Sequence, residues 1–283
     1  MADFVSLFKS MDKMGWKILD GIFHYMWDYE YVPSEFIAQH SKISPEKVER
    51  LLKELSNKKL VKNKLLSYYG SSFTFIGLSL YSLWRLVEHD DVEMLGSVIG
   101  EGKESIVYNC ISKYGESVIK FHRLGHPSFR KVKDKRDYGT FHYSVLGVRS
   151  AKNEFGALKR LYGLVRVPRP IAWEGNAVVM DLIGGIELYK VKLENPQEVF
   201  DLILEEVKEM YRLGIVHGDL SQYNVLVEEE GVWIIDFPQF VEADAEGGED
   251  LLLRDLTNLI QYFSRSYSIE KDIKNALEYI TES

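Results

Sequence analysis

His217-Gly218-Asp219-Leu220-Ser221-Gln222-Tyr223-Asn224, followed after an apolar stretch by Asp236-Phe237-Pro238, decides how this 283-residue chain is read. The helical pattern of 199–213 runs out just before it, so Asp219 falls in a loop. Asn224 then opens the apolar run Val225-Leu226-Val227. A second apolar run, Val232-Trp233-Ile234-Ile235, has the pattern of a buried strand and delivers Asp236 at its end. Phosphoryl transfer needs a carboxylate beside the attacking oxygen and hard oxygen ligands for magnesium. Asp219 supplies the first; Asn224 and Asp236 supply the second. His-Gly-Asp alone reads as a turn and Asp-Phe-Pro alone as a strand stop, so the order and spacing carry the reading.

Upstream, the alternating run Ser117-Val118-Ile119-Lys120-Phe121 reads as a strand whose lysine would meet α/β-phosphates. Before it, Gly100-Glu101-Gly102-Lys103-Glu104-Ser105-Ile106-Val107-Tyr108 lies between two strand-like runs. Glycines 100 and 102 permit a tight turn and close approach of backbone to an anion, and Ser105 stands where a third glycine is usual. Alone, this segment would be an ordinary hairpin turn; Lys120 downstream gives it meaning. The run 150–162 has apolar residues at 151, 155, 158 and 162, a helical period with Glu154 beside that face, and Glu154 is the partner chosen for Lys120. After Val167-Pro168-Arg169-Pro170, the strand-like 177–180 passes into Asp181-Leu182-Ile183-Gly184-Gly185. There, backbone groups from Asp181 to Ile183 would bind adenine and Met180 would line the pocket.

Several stretches together resemble the Rio family of atypical kinases, and within it the Rio-two subgroup. They are Gly102-Lys103-Glu104-Ser105, Lys120-Phe121-His122-Arg123-Leu124-Gly125, the basic run from Ser128 to Tyr138, His217-Gly218-Asp219 and Asp236-Phe237-Pro238-Gln239. The resemblance covers nearly the whole chain. It implies an ATP- and magnesium-dependent serine/threonine kinase or ATPase, with manganese as an alternative ion. In it Asp219 is the base, Asn224 and Asp236 bind metal, Lys120 contacts phosphate, and Asp236 is itself a phosphate acceptor. It also implies a role in maturation of the small ribosomal subunit, with the subunit precursor and its rRNA as partners. Ala-Pro-Glu is absent from the 47 residues after Asp236, so the usual peptide platform is not expected. Action on itself, on one docked protein, or as an ATP-driven switch is expected instead.

Residues 1–90 follow another pattern. A short helix over Pro33–His40 precedes Ser44-Pro45-Glu46-Lys47, where Ser44 as N-cap and Pro45 at the first position announce a helix striped by Val48, Leu51, Leu52 and Leu55. Two β-like runs around a turn at Tyr68–Ser72 complete a winged-helix signature. Residues 1–85 hold twelve Lys/Arg against nine Asp/Glu, whereas the remainder holds 23 against 34. That asymmetry directs any nucleic acid to the N-terminal end, with Lys47, Arg50, Lys53, Lys58, Lys59, Lys62 and Lys64 as candidate phosphate contacts. A solvated lysine-rich face or a protein-binding winged helix fits the same residues.

The polar insertion Gly125–Gly147 is expected to order on a nucleotide, RNA or ribosomal partner, with Ser128, Tyr138, Thr140 and Ser144 as self-phosphorylation candidates. A single cysteine, Cys110, precludes an internal disulfide, and no Cys/His cluster has zinc spacing. The most apolar stretch, 73–84, is too short to span a bilayer, so a cytoplasmic monomer without membrane contact is expected. With a net charge of −8, polyanion binding by the whole surface is disfavoured. The fold expected is α+β: a winged helix over 1–90, then a minimal bilobal kinase domain over 91–283 with N-lobe 91–180, hinge 181–185 and C-lobe 186–283. Two rivals share parts of the pattern. Small-molecule phosphotransferases need a larger helical substrate lobe, and a non-catalytic ATP- and RNA-binding assembly scaffold has no need of a base at 219.

Overall fold

Apolar residues at helical spacing build the N-terminal elements. These are α1 (Phe4–Lys9), α2 (Lys13–Tyr25), β1 (Val32–Pro33), α3 (Ser34–Ser41), α4 (Pro45–Asn57), β2 (Val61–Leu65), β3 (Tyr69–Phe73) and α5 (Phe75–Glu88). Asp12 caps α2 by accepting the Gly15 N–H at 2.7 Å. Helix α4 buries Val48, Leu51, Leu52 and Leu55, the stripe expected from its sequence. Ser44 holds the N-cap position but its side chain makes no capping bond, so Pro45 and the stripe start the helix. The three short strands pair in the order β1-β3-β2, helix-helix-wing in arrangement. The wing turn lies at 66–68 rather than 68–72: Leu66 N–H reaches Tyr68 O at 2.8 Å. Gly70 and Ser71 read as turn formers but are strand residues selected for size and bonding. A Cβ on Gly70 would lie 2.9 Å from the Tyr31 side chain, and Ser71 Oγ donates to Asn63 Oδ1 at 2.7 Å.

The computed structural model describes residues 4–123 and 143–282. The chain divides into two compact units, Met1–Lys152 with Ala172–Val179, and Asn153–Ile171 with Met180–Ser283. In the first, the N-terminal elements share one body with a five-stranded sheet of β4 (Val92–Glu101), β5 (Ser105–Ser112), β6 (Gly115–His122), β7 (Pro170–Glu174) and β8 (Ala177–Asp181), in the order β4-β5-β6-β8-β7, with β4, β5 and β6 antiparallel. Asn176, fully buried, joins them. Its N–H donates to Ser82 Oγ at 3.1 Å, and its Nδ2 donates to Ser79 Oγ at 3.1 Å and His122 O at 2.9 Å. Residue 90 therefore marks a change of element type inside one unit.

Helix α6 (Tyr143–Leu161) begins earlier than the 150–162 pattern suggested, because Val145 and Val148 pack into the N-terminal core. Ser144 and the last residues of the expected insertion are thus helical. Leu124, Gly125, Ser128, Tyr138 and Thr140, with the basic run between them, lie outside the described residues.

The second unit is built on β9 (Ile186–Glu187), a 3-10 turn (Leu188–Lys190), α7 (Pro196–Arg212), β10 (Ile215–Val216), β11 (Val225–Glu228), β12 (Gly231–Ile234), β13 (Val241–Glu242), α8 (Gly248–Tyr267) and α9 (Ile273–Thr281). Strands pair as β12-β11-β9 and β10-β13. Phe200 of α7 stacks on Phe263 of α8 at 4.5 Å, with Ile203, Leu204, Leu256 and Leu259 completing a core beneath the site.

Candidate functional site

The loop between β10 and β11 is held from three sides. Gly218 has φ 79°, and a Cβ there would fall 2.7 Å from the Gln239 carbonyl, so only glycine fits. Asp255 on α8 is 1% exposed and accepts two amides, Gly218 N–H at 2.8 Å and Leu220 N–H at 2.9 Å. Arg254 donates to the Gly218 carbonyl. The peptide bonds on both sides of Asp219 are therefore fixed by one helix. His217 is fixed in turn: its Nε2 donates to Ile235 O at 3.0 Å, and its Nδ1 accepts the Asp219 N–H at 3.3 Å. An amide can only donate and a carbonyl only accept, which selects the Nε2-protonated tautomer.

Asn224 closes the loop, its Nδ2 donating to Asp219 O at 2.9 Å. With the amide nitrogen committed, Oδ1 is the Asn224 atom that could ligate a cation. The register of β11 with β12, Val225 opposite Ile234, brings the following residues back beside it, and Ile235 N–H bonds Asn224 O at 3.0 Å. Asp236 comes next in a left-handed conformation, φ 74°, a strained backbone for a non-glycine residue and one that marks functional sites. Phe237 anchors it: the ring is fully buried at 4.7 Å from His217, and its N–H donates to Glu154 Oε1 at 3.3 Å. Glu154 is thus 1% exposed and integral to the second unit, more deeply placed than the face-flanking position its sequence suggested.

Asp219 reaches solvent, yet burial of its carboxyl against the surrounding protein raises its pKa, Arg254 opposing and Asp236 adding to the rise. Asp255 is pushed up to about 7 by burial, opposed by its two amides and Arg254, with Asp219 adding to the rise. Among the described residues no group of three or more His, Cys, Asp or Glu forms a metal cluster. A cation at Asn224 and Asp236 would be completed by non-protein oxygens, which suits magnesium on a phosphate.

In the first unit, Gly100, Val107 and Lys120 are register partners across β4, β5 and β6 and form one row on one sheet face. Lys120 is 6% exposed. The β4–β5 turn is closed by Gly102 N–H to Ser105 O at 2.9 Å and braced by Arg123 N–H to Glu104 O at 2.6 Å, with Lys103 at its tip. The tight turn forms, yet neither Gly100 nor Gly102 uses a positive φ to make it, and a Cβ on either would meet nothing closer than 3.8 Å. The packing of the protein itself does not require these glycines, which leave the surface of the turn bare. Met180, 6% exposed, is the penultimate residue of β8. Asp181 is partly committed: its N–H donates to Arg169 O at 3.0 Å and its carboxylate pairs with Arg169 Nη2 at 2.9 Å. Its carbonyl and the half-buried Ile183 are what the connector offers an adenine.

The basic candidates of the N-terminal segment divide. Arg50 pairs with Glu54 at 3.7 Å, and Lys58 Nζ donates to Ser10 O at 3.0 Å and Ser10 Oγ at 3.1 Å. Lys53, Lys59 and Lys62 are exposed, and Lys47 is half-buried. Exposed Lys64 lies 5.3 Å from the Tyr31 ring. The wing lysines 62 and 64 stand opposite Ser72 and Gly70, small partners that leave them accessible. Sequence reading missed Asp255 and Arg254, whose Leu-Leu-Arg-Asp-Leu setting resembles any amphipathic helix. The available signal was the spacing of Leu252, Asp255, Leu256 and Leu259, which puts a carboxylate on the apolar face.

A catalytic-type loop closed by an asparagine, a strained aspartate after a short hairpin, and a lysine opposite a bare glycine turn define a protein-kinase-like domain of minimal form. The chain belongs to the RIO family, whose domain model matches residues 106–276. Its place is the Rio2 subgroup, since the Rio2 N-terminal model matches residues 8–89. It is 35% identical over 274 residues to the RIO-type serine/threonine-protein kinase Rio2 of Methanocaldococcus jannaschii, covering 91% of this chain and 100% of that one. It is 32% identical to the serine/threonine-protein kinase rio2 of Schizosaccharomyces pombe, over 88% of this chain and 75% of that one. A solved Rio2 kinase from Chaetomium thermophilum, as an ADP/Mg2+-phosphoaspartate complex, superposes with a TM-score of 0.81 at 27% identity, over 99% of this chain and 89% of that one. No helix among the described residues is long and apolar enough to cross a membrane.

Proposed function

We propose that this chain is an ATP- and magnesium-dependent serine/threonine phosphotransferase with ATPase turnover, acting in maturation of the small ribosomal subunit. The observation that carries the reading is the closed Asp219–Asn224 loop, which commits the Asn224 nitrogen and leaves its oxygen for a cation beside Asp236. Magnesium held there by Asn224 and Asp236 would neutralise phosphate charge. Lys120, with Glu154 as its partner, neutralises the α/β-phosphates. The segment Gly100, Gly102, Lys103, Glu104, Ser105 and Val107 covers them with backbone, and Met180, Asp181 and Ile183 receive the adenine. Asp219 takes the proton of the attacking hydroxyl, a role for which a raised pKa makes it a better base.

The Asp236 carboxylate is a second acceptor. One of its oxygens bonds the γ-phosphorus as the bridging β–γ P–O bond breaks and ADP departs; water, deprotonated at Asp219, then cleaves the acyl phosphate to inorganic phosphate and carboxylate. The C. thermophilum Rio2 kinase, solved with ADP, Mg2+ and a phosphoaspartate, supports this branch. The wing and α4 lysines contact rRNA of the subunit precursor, and the protein works as a cytoplasmic monomer that also phosphorylates itself. Incubation with γ-labelled ATP followed by hydroxylamine tests the two branches. Label on Asp236 is stripped and is absent from Asp236→Asn, whereas label on serine or threonine survives. A protein that consumes ATP by neither route would refute the proposal.

A further inference from the structure

Four apolar side chains of the second unit are exposed to solvent, Leu182 at 40%, Ile186 at 52%, Tyr189 at 45% and, within the 217–224 loop itself, Tyr223 at 56%. Two of them form a pair, the rings of Tyr189 and Tyr223 lying 4.8 Å apart at an interplanar angle of 57°. Chain connectivity places the pair. Tyr223 immediately precedes Asn224, which bonds Asp219 O at 2.9 Å, and Tyr189 follows β9, where Glu187 sits in register with Leu226. The backbone around Tyr189 is pinned to α8: Tyr262 Oη donates to Leu188 O at 2.9 Å, Tyr267 Oη donates to Val191 O at 3.2 Å, and the same oxygen accepts Leu193 N–H at 3.3 Å. A rigid backbone therefore presents two touching aromatic rings outward, a costly arrangement for a surface with nothing to bind.

We propose that the Tyr189–Tyr223 pair is a specificity subsite for a protein substrate, taking an aliphatic or aromatic side chain close to the acceptor serine or threonine. The proposal rests on the phosphotransfer reading and names what that site receives. A hydroxyl within reach of Asp219 draws its own backbone across the outer residues of the loop, where Tyr223 is exposed. A side chain two or three residues from the acceptor lies about 7–10 Å along an extended chain, the reach needed.

Charge decides between a polypeptide and a nucleic acid as occupant. Residues 181–194 and 219–236 hold eight Asp/Glu and two Lys, and one of those lysines, Lys190, is bound to Glu187 at 2.7 Å. Rings that stack nucleobases work beside cations that hold the phosphates; here, among the described residues, the one cation over the pair, Lys190 Nζ at 5.3 Å from the Tyr189 ring, is bound to Glu187, and the flanking segments are otherwise mostly acidic. A neutral or basic peptide meets no such repulsion.

The test uses the full chain, ATP, magnesium and peptides with one central serine in an Ala/Gly/Lys background, carrying Leu, Phe or Ala at each of four flanking positions on either side. The readout is kcat/KM for the Leu or Phe peptide divided by that for the Ala peptide, a ratio that cancels any change in basal rate. Wild type is expected to favour the apolar residue about tenfold at one position, through KM. Tyr223→Ala and Tyr189→Ala should lose that preference, and Tyr223→Phe should keep it. Absence of positional preference, or its survival in both alanine variants, would overturn the proposal. ATP hydrolysis without peptide phosphorylation overturns the subsite and leaves phosphotransfer standing; loss of both removes the reading beneath it. Competition by a ten-nucleotide oligouridine that depends on Tyr223 would assign the pair to nucleic acid and overturn the proposal.

Discussion

The carboxylate of Asp255 accepts the Gly218 N–H at 2.8 Å, so a side chain on α8 fixes the His217–Gly218 peptide group, one residue before Asp219. Its other oxygen holds the Leu220 N–H at 2.9 Å, and one carboxylate thereby sets where the base points. Asp255→Asn keeps one acceptor oxygen and turns an NH2 toward the second amide. A buried amide without an acceptor costs about 1–3 kcal/mol. The expected outcome is a kcat about 10- to 100-fold lower with KM for ATP little changed, measured by steady-state ATP turnover.

The same residue gives a pH signature. Its pKa in the fold, about 7, lies above the ordinary carboxylate value because burial disfavours the charge. The folded state therefore holds a proton that the unfolded state releases near pH 4, and stability from this group falls as pH rises from about 4 to about 7, then levels. Thermal melts of wild type and Asp255→Asn across that range should show the variant gaining on wild type by a few kcal/mol toward pH 7. A constant difference would place Asp255 in a more polar setting than its bonds indicate.

Two glycines should respond in opposite ways. Gly218→Ala forces a left-handed alanine against the Gln239 carbonyl, 2.7 Å from its Cβ, and should cost about 2 kcal/mol or more in stability. Gly102→Ala meets nothing within 3.9 Å and should melt like wild type. If the bare turn receives phosphate, ATP affinity in Gly102→Ala should nevertheless fall, as calorimetric titration with ATP would show.

The wing supplies a prediction about nucleic acid. Lys62 and Lys64 are exposed over small cross-strand partners, so replacing both with alanine should weaken rRNA-fragment binding and reduce the slope of log K against log salt by about 1.4 to 1.8. Lys58→Ala should leave that slope in place and lower the melting temperature, because its ammonium is spent on Ser10. Fluorescence titration at several salt concentrations distinguishes the two outcomes.

Residue order and periodicity made much of this fold legible. The alternation around Lys120 marked β6, the apolar stripe of α4 marked its helix, and the spacing from Asp219 through Asn224 to Asp236 marked the loop and hairpin. Legibility failed where a residue answers to distant neighbours. Gly70 reads as a turn residue, yet Tyr31 demands its smallness within a strand. The start of α6 is set by Val145 and Val148 packing into the N-terminal core, which no local capping signal announces. Asp255 bonds the 217–220 backbone from a helix more than thirty residues further on, and local sequence carries only its place on an apolar face.

The most direct test of phosphoryl transfer at this loop is a single turnover of γ-labelled ATP with magnesium in wild type, Asp219→Ala and Asp236→Asn. If Asp219 takes the proton and Asp236 holds the ion and accepts phosphate, both variants should slow by a few hundredfold or more, and Asp219→Ala should still bind ATP. Turnover of Asp219→Ala at near the wild-type rate would contradict it, leaving the loop as a nucleotide-binding scaffold without chemistry.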